Sequence, residues 1–259
     1  MTRPLQYLVG TSGYSFADWV GPFYPPGTRA GEMLRLYVRH FQTVELNFTF
    51  YRMPSAATLD RIGRAAPAGF DIWVKANQQI THQGNRDLCG EFVEGLSPLR
   101  ERGKLAGVLL QFPQSFHRTI ESRKYLAAAI TELESLPLAV EFRHRSWEHA
   151  STLAGLGERN VTLVVPDAPA LPGLYRPRPT ATTRTGYLRL HSRNADNWYA
   201  GAADRYDYSY SADELKAVAG DWSELADQVD KVYAFFNNCH RGQAAANAEA
   251  FRRIVGQLD

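Results

Sequence analysis

Eight short β-branched or apolar runs spread along 259 residues, helical periodicity in most intervals between them, and no glycine-rich first turn predict an α/β fold, a single (β/α)8 TIM-like barrel. An open doubly wound sheet usually has fewer strands and a glycine-rich loop after the first. Neither GxGxxG nor GxxxxGK followed by Ser or Thr occurs.

The runs lie near residues 7–12, 43–49, 71–76, 106–112, 138–143, 162–167, 186–191 and 231–237. Behind the first, Leu34, Tyr37, Val38 and Phe41 recur at helical spacing; behind the second come Leu59 and Ile62, with Ser55 after Met53-Pro54 placed as an N-cap. Leu126, Ile130 and Leu133 follow the fourth run, Leu215 and Val218 the seventh, and Phe251, Ile254 and Leu258 the eighth. Ser211 with Glu214 has capping-box spacing. The interval after the sixth run is different. Pro166, Pro169, Pro172, Pro177 and Pro179 break any regular helix there, so an irregular excursion is expected between strands six and seven. No composition break or flexible linker divides the chain, and residues 1–259 read as one barrel domain.

The composition excludes several classes. A 44% hydrophobic, 22% charged chain is not intrinsically disordered, and no apolar run approaches the roughly 20 residues of a membrane helix. Met1-Thr2-Arg3-Pro4 leads straight into a strand pattern without a secretory h-region, so a cytoplasmic protein with no membrane partner is expected. Cys89 and Cys239 stand far apart in no metal-ligand spacing and read as free thiols. The 29 Lys+Arg and 27 Asp+Glu leave a net charge of +2, which announces no polyanion partner but can hide a local patch.

Strand alternation assigns an unusual set of polar residues to the barrel interior or its C-terminal rim. Val44, Leu46 and Phe48 form the apolar face of the second run, leaving Glu45 and Asn47 on the other; Val140 and Phe142 leave Glu141 and Arg143 in the fifth. The same logic points Lys75, Gln111, Asp167, Arg189, His191 and Asn237 inward. Buried charges persist only when paired or functional. A structural network pairing Glu45 with Lys75, and Glu141 with Arg143 or Arg189, is one reading. The other is a site at the C-terminal rim, where barrels place catalytic groups. Glu141, Asp167 and His191 would also suit a divalent metal, with Asn237 a weak fourth ligand.

Two loops are dense in aromatics: Tyr14, Phe16, Trp19, Phe23 and Tyr24 after the first run, and Trp198, Tyr199, Tyr206, Tyr208 and Tyr210 after the seventh. Either they pack locally or they form a wall for stacking a sugar or base. Arg176, Arg178, Arg184, Arg189 and Arg193 fall in a stretch without Asp or Glu, and the guanidinium fork suits phosphate or carboxylate. His40, His117 and His149 read as surface residues; His82, His144 and His240 follow strands and are placed near the mouth.

These segments resemble the YecE-like family, domain of unknown function 72. The resemblance rests on Gly10-Thr11-Ser12-Gly13-Tyr14, Trp19 with Phe23-Tyr24-Pro25, Thr43-Val44-Glu45-Leu46-Asn47 with Thr49-Phe50-Tyr51, and Lys75 with Ile80-Thr81-His82. It continues through Gln111-Phe112-Pro113, Val140-Glu141-Phe142-Arg143-His144 with Ser146-Trp147, Leu188-Arg189-Leu190-His191, and Phe235-Phe236-Asn237-Asn238 with Asn247-Ala248. Ser192 stands where such proteins often have glycine, and Cys239-His240 where an acidic residue and proline are common. The resemblance implies a TIM barrel and brings no reaction with it.

The expected function is an enzyme holding a small anionic ligand, phosphorylated or sugar-like, at the C-terminal mouth. Arg143, Arg189 and Arg193 would bind the anion, with Asn47, Gln111, Asn237, Tyr14, Trp19 and Trp198 lining the site. Glu141 or Glu45 would act as base and Lys75 or His191 as proton donor, and Lys75 has the alternative of a Schiff base. The competing expectations are a divalent-metal enzyme acting on nucleotides or nucleic acid through Glu141, Asp167 and His191, and a non-catalytic single-strand binding module.

Overall fold

The computed structural model describes residues 5–257; Met1 to Pro4 and the expected apolar position Leu258 lie outside the described residues. The eight expected strands are present and parallel: β1 Gln6–Thr11, β2 Thr43–Leu46, β3 Asp71–Lys75, β4 Leu105–Gln111, β5 Leu138–Glu141, β6 Thr162–Asp167, β7 Thr185–Leu190 and β8 Lys231–Phe236. Each pairs with its sequence neighbours from β2 round to β8, and β8 pairs with β1. Helices cover the outside: α1 Ala30–Tyr37, α2 Ala56–Ala65, α3 Cys89–Gly95, α4 Ile120–Glu132, α5 Ala150–Glu158, α6 Ala212–Ser223 and α7 Gln243–Ile254, with shorter turns between. The fold is a (β/α)8 barrel. Among the described residues no helix is long and apolar enough to cross a membrane.

The barrel closes between β1 and β2, where a single bridge, Ser12 to Glu45, stands in for a ladder. A side chain completes the seam. The Thr11 N–H donates to the Tyr37 hydroxyl at 2.9 Å, and that hydroxyl donates to the Thr43 carbonyl at 3.0 Å, so buried backbone groups find partners. Gly10 leaves the room: a Cβ there would lie 2.3 Å from the Thr43 oxygen.

Ser211 and Glu214 form the expected capping box on α6, whereas Ser55 precedes α2 without a side-chain cap bond. Between β6 and β7 the chain forms no helix, as its prolines require. The excursion instead crosses the segment after β5. The Arg145 N–H donates to Gly173 and the Tyr175 N–H to Arg143, which clamps the backbone of Arg143 at the mouth.

The larger apolar core lies between strands and helices; a second, inside the barrel, consists of Leu8, Trp73, Leu109, Ala139, Val164, Tyr187, Tyr233 and Phe235. That inner set corrects one assignment. Val164 and Pro166 are level with Tyr187 and Arg189, and residues level in a parallel sheet face the same side. Asp167 is therefore level with Leu190 and faces outward. The run Leu163-Val164-Val165-Pro166 is apolar on both faces, so alternation alone carries no orientation there.

Candidate site at the C-terminal mouth

Above the inner apolar core lies a layer of charge. Glu45 and Glu141, on β2 and β5, are fully buried, and the almost fully buried Arg189 of β7 bridges them. Its Nη2 donates to Glu45 Oε1 and its Nη1 to Glu141 Oε2, both at 2.6 Å. The Tyr187 hydroxyl donates to the second Glu45 oxygen at 2.7 Å. Arg143 Nε forms an ion pair with Glu141 Oε1. Charged pairs of this kind offset a large desolvation cost, and removing one partner typically destabilises by about 3–5 kcal/mol. Glu141, expected to pair with Arg143 or Arg189, pairs with both. Glu45, in contrast, is taken by Arg189 and Tyr187 and not by Lys75.

His191 is also fully buried. The Asn237 amide nitrogen lies 3.0 Å from Nδ1, and Glu141 Oε1 lies 3.2 Å from Nε2. An amide NH2 only donates, so Nδ1 accepts and the proton sits on Nε2, donated to the carboxylate. Burial, then Arg143, pushes the imidazole pKa down to about 3 despite Glu141, so the ring is neutral. Burial alone would raise the Glu141 pKa, but Arg143, Arg189 and His191 hold it well below the ordinary carboxylate range. Neither group is poised to exchange a proton near neutrality.

Lys75, at the end of β3, differs from these. Its Nζ lies 4.0 Å over the Phe50 ring and makes no hydrogen bond or ion pair among the described residues. Burial, then the Arg189 charge, outweighs Glu141 and Glu45 and pushes its pKa down to about 7. The strand end is anchored by the Thr49 hydroxyl, which donates to the Lys75 carbonyl at 2.6 Å. One step beyond the paired residues Leu46 and Val74, Asn47 presents a buried Oδ1 that no donor among the described residues reaches.

The layer opens into a cavity of about 210 Å³, lined by Gln111, Arg143, His82, Trp198, Tyr199, Arg205 and Tyr206 among others. Gln111 is level with Glu141 and donates its amide to the Phe112 carbonyl. Trp198 and Tyr206 approach the His191 ring, with centroids 6.4 and 6.3 Å away, and with Tyr199 they make three of the second loop's five aromatics the wall. Tyr208 and Tyr210 leave it, bonding Glu214 and Asp167. His82 edges the Phe50 ring and lines the cavity; desolvation, then Lys75 and Arg143, lowers its pKa to about 4. Its place after β3 predicts a position near the mouth and no role; Arg205, at the end of the short helix Ala202–Arg205, carries no strand pattern that would mark it.

Several expected site residues lie elsewhere. Arg193 forks onto Asp167, with Nη2 to Oδ2 at 2.6 Å, and reaches Glu214 at 3.5 Å; this network sits outside the barrel against α6. With Asp167 facing outward, Glu141, Asp167 and His191 do not converge, and among the described residues no group of three His, Cys, Asp or Glu is placed to hold a metal ion. Arg184 pairs with Asp230, and Arg176 and Arg178 line a surface cavity with Arg193, so the arginine-rich stretch does not gather around one ligand. Trp19 is wholly buried, its indole N–H donating to the Cys239 carbonyl at 2.7 Å, and Tyr14 lines a separate groove beside α1 and α2. The first aromatic loop is packing, with Phe16, Phe23 and Tyr24 around Trp19. His144 stacks on His117 with centroids 3.8 Å apart, and His240 reaches Asp207, neither lining the mouth.

Comparison with known proteins agrees with the fold. The profile of a family described as "Protein of unknown function DUF72" matches residues 8–259. UPF0759 protein YunF of Bacillus subtilis is 31% identical over 268 residues, covering 95% of this chain and 94% of that protein. The crystal structure of a DUF72 family protein from Thermotoga maritima superposes with a TM-score of 0.87 at 39% identity, covering 96% of this chain and 99% of that one. The homocysteine methyltransferase MmuM of Escherichia coli shares the fold alone, with a TM-score of 0.53 at 12% identity over 97% of this chain and 96% of that one.

Proposed function

The chain belongs to the DUF72 family, and from that premise we propose that it is an enzyme whose pocket at the C-terminal mouth of the barrel binds a small anionic ligand. One observation carries the reading. The interior layer holds two carboxylates, Glu45 and Glu141, against three basic side chains, Lys75, Arg143 and Arg189, and Arg189 bonds both acids. Arg143 gives only its Nε to Glu141, and no protein group among the described residues takes its Nη atoms. Arg143 lines the cavity with Arg205, and with Arg189 these make three permanent cations against the two carboxylates. Carboxylate or phosphate is the natural complement of such a fork.

The roles divide accordingly. Arg143 anchors the anion, and Trp198 and Tyr206 cover its apolar part. Glu45, Glu141 and Arg189 form the rigid floor, with His191 held neutral above Glu141. Lys75 supplies the reactive nitrogen, because its state changes near neutral pH while its neighbours are fixed.

The test is thermal unfolding with small phosphorylated and carboxylated metabolites. A ligand at about 100 times its Kd stabilises by about 2.7 kcal/mol, a rise in Tm of about 5 °C or more. Arg143→Gln is expected to abolish that rise and Arg193→Gln to preserve it. A panel that shifts nothing, or a shift that survives Arg143→Gln, overturns the proposal.

A further inference from the structure

We propose that Lys75 is an imine-forming nucleophile and that the ligand of the mouth is a small oxo acid, its carboxylate held by Arg143 and its carbonyl carbon presented to Lys75 Nζ. The inference rests on the anionic pocket proposed above and gives that pocket a substrate class.

Three placements support it. Lysine in a charged layer normally answers a carboxylate, but here Arg189, with Tyr187 and Arg143, takes Glu45 and Glu141, and among the described residues Lys75 has only the face of Phe50. An aromatic face attracts the ammonium ion without accepting its proton, so the neutral amine keeps its lone pair free. Level with Lys75, the buried Asn47 Oδ1 lacks a donor among the described residues; the hydroxyl formed by addition to a carbonyl would supply one. The cavity of about 210 Å³ falls below the ~300–1,000 Å³ of sites for larger ligands, which favours an acid of few atoms over a nucleotide. Phe50, 4.0 Å from Lys75 Nζ, packs its ring against His82 with centroids 4.9 Å apart, and His82 lines the cavity with Arg143.

The chemistry balances without an oxidant. The Nζ lone pair attacks the carbonyl carbon, the π pair moves to oxygen, and a proton passes from nitrogen to oxygen through solvent, giving a carbinolamine. A further solvent proton lets that oxygen leave as water, and the nitrogen lone pair forms the iminium. The groups facing the amine are Glu45 on β2, Glu141 and Arg143 at the end of β5, and Arg189 on β7. The arginines favour the neutral form and the glutamates oppose it, and burial adds to the arginines. Addition therefore rises with pH through about 7.

Borohydride reduction of the full chain with pyruvate tests the step, because the chain has only five lysines and peptide mass spectrometry resolves them. The expected result is near-complete modification of Lys75 by the mass of pyruvic acid less one oxygen atom. Lys75→Arg, confirmed folded by its Tm, is expected to lose it. Arg143→Gln is expected to raise the half-maximal pyruvate concentration about tenfold or more, and to weaken trapping of uncharged propanal far less, since only the loss of its charge beside Lys75 acts there. No modification at Lys75, or equal modification at Lys104, Lys124, Lys216 and Lys231, overturns the inference. If pyruvate raises the Tm through Arg143 yet leaves no adduct, the imine is overturned and the anionic pocket stands. If it does neither, and the wider panel of anions also fails, both are overturned.

Discussion

At the scale of single residues, His191 and Lys75 show opposite uses of one low-dielectric layer. His191 has both ring nitrogens occupied and stays neutral; Lys75 has neither acid nor acceptor and is free to change state. Their pKa displacements have the same sign, and so the same consequence for stability. Between about pH 6.5 and 3 the unfolded chain gains a proton on His191 that the native state refuses, so stability falls as pH falls. Between about pH 10.5 and 7 the unfolded chain holds a proton on Lys75 that the native state has lost, so stability again falls as pH falls. Each full proton contributes a slope of about 1.4 kcal/mol per pH unit. Denaturant unfolding across pH is expected to show His191→Asn flattening the acidic limb and Lys75→Met flattening the alkaline one. The His191 slope is best read above about pH 4.5, since Glu141, held low in the native state, adds its own loss below that point. A wild-type slope that persists in both variants contradicts the assigned states.

At the scale of elements, the seam between β1 and β2 is the weak point of closure. Seven strand pairs are joined by ladders, while this one relies on the Ser12–Glu45 bridge and the Tyr37 hydroxyl. Tyr37→Phe keeps the ring but leaves the Thr11 N–H and Thr43 carbonyl without their relay, a cost of about 1–3 kcal/mol. Gly10→Ala is expected to cost at least as much, because its methyl carbon meets a backbone oxygen that cannot swing aside. Equilibrium denaturation of the two variants checks both values; a loss within error of zero for Tyr37→Phe removes the hydroxyl from the account of closure. The elements themselves were legible in the sequence because strand runs, helical spacing and the five prolines after β6 act locally. What the prolines do was not legible. The excursion pairs with the segment after β5 and fixes Arg143, a contact between stretches with no shared pattern.

At the scale of the whole molecule, the charge of +2 conceals a division between an inner layer and an outer shell. Arg189 and Arg143 serve the inner layer; Arg193 and Asp167 form a bidentate pair on the far side of the barrel wall. Arg193→Gln is accordingly expected to lower stability by about 1–3 kcal/mol, since it leaves Asp167 and Glu214 without their cation, yet to leave anion binding at the mouth unchanged. Calorimetric titration beside chemical denaturation separates these readouts, and lost binding with intact stability returns Arg193 to the site. The sequence by itself determined the barrel, the strand positions and an interior carrying Glu45, Lys75, Glu141, Arg189 and His191, because alternation along a strand with one apolar face is a local property. Only the tertiary structure decided which way Asp167 points, which of two aromatic loops is packing, and which cation is left without a partner. Those outcomes depend on register between strands and on competition among charges distant in sequence, where one bridging arginine decides what its neighbours are free to do.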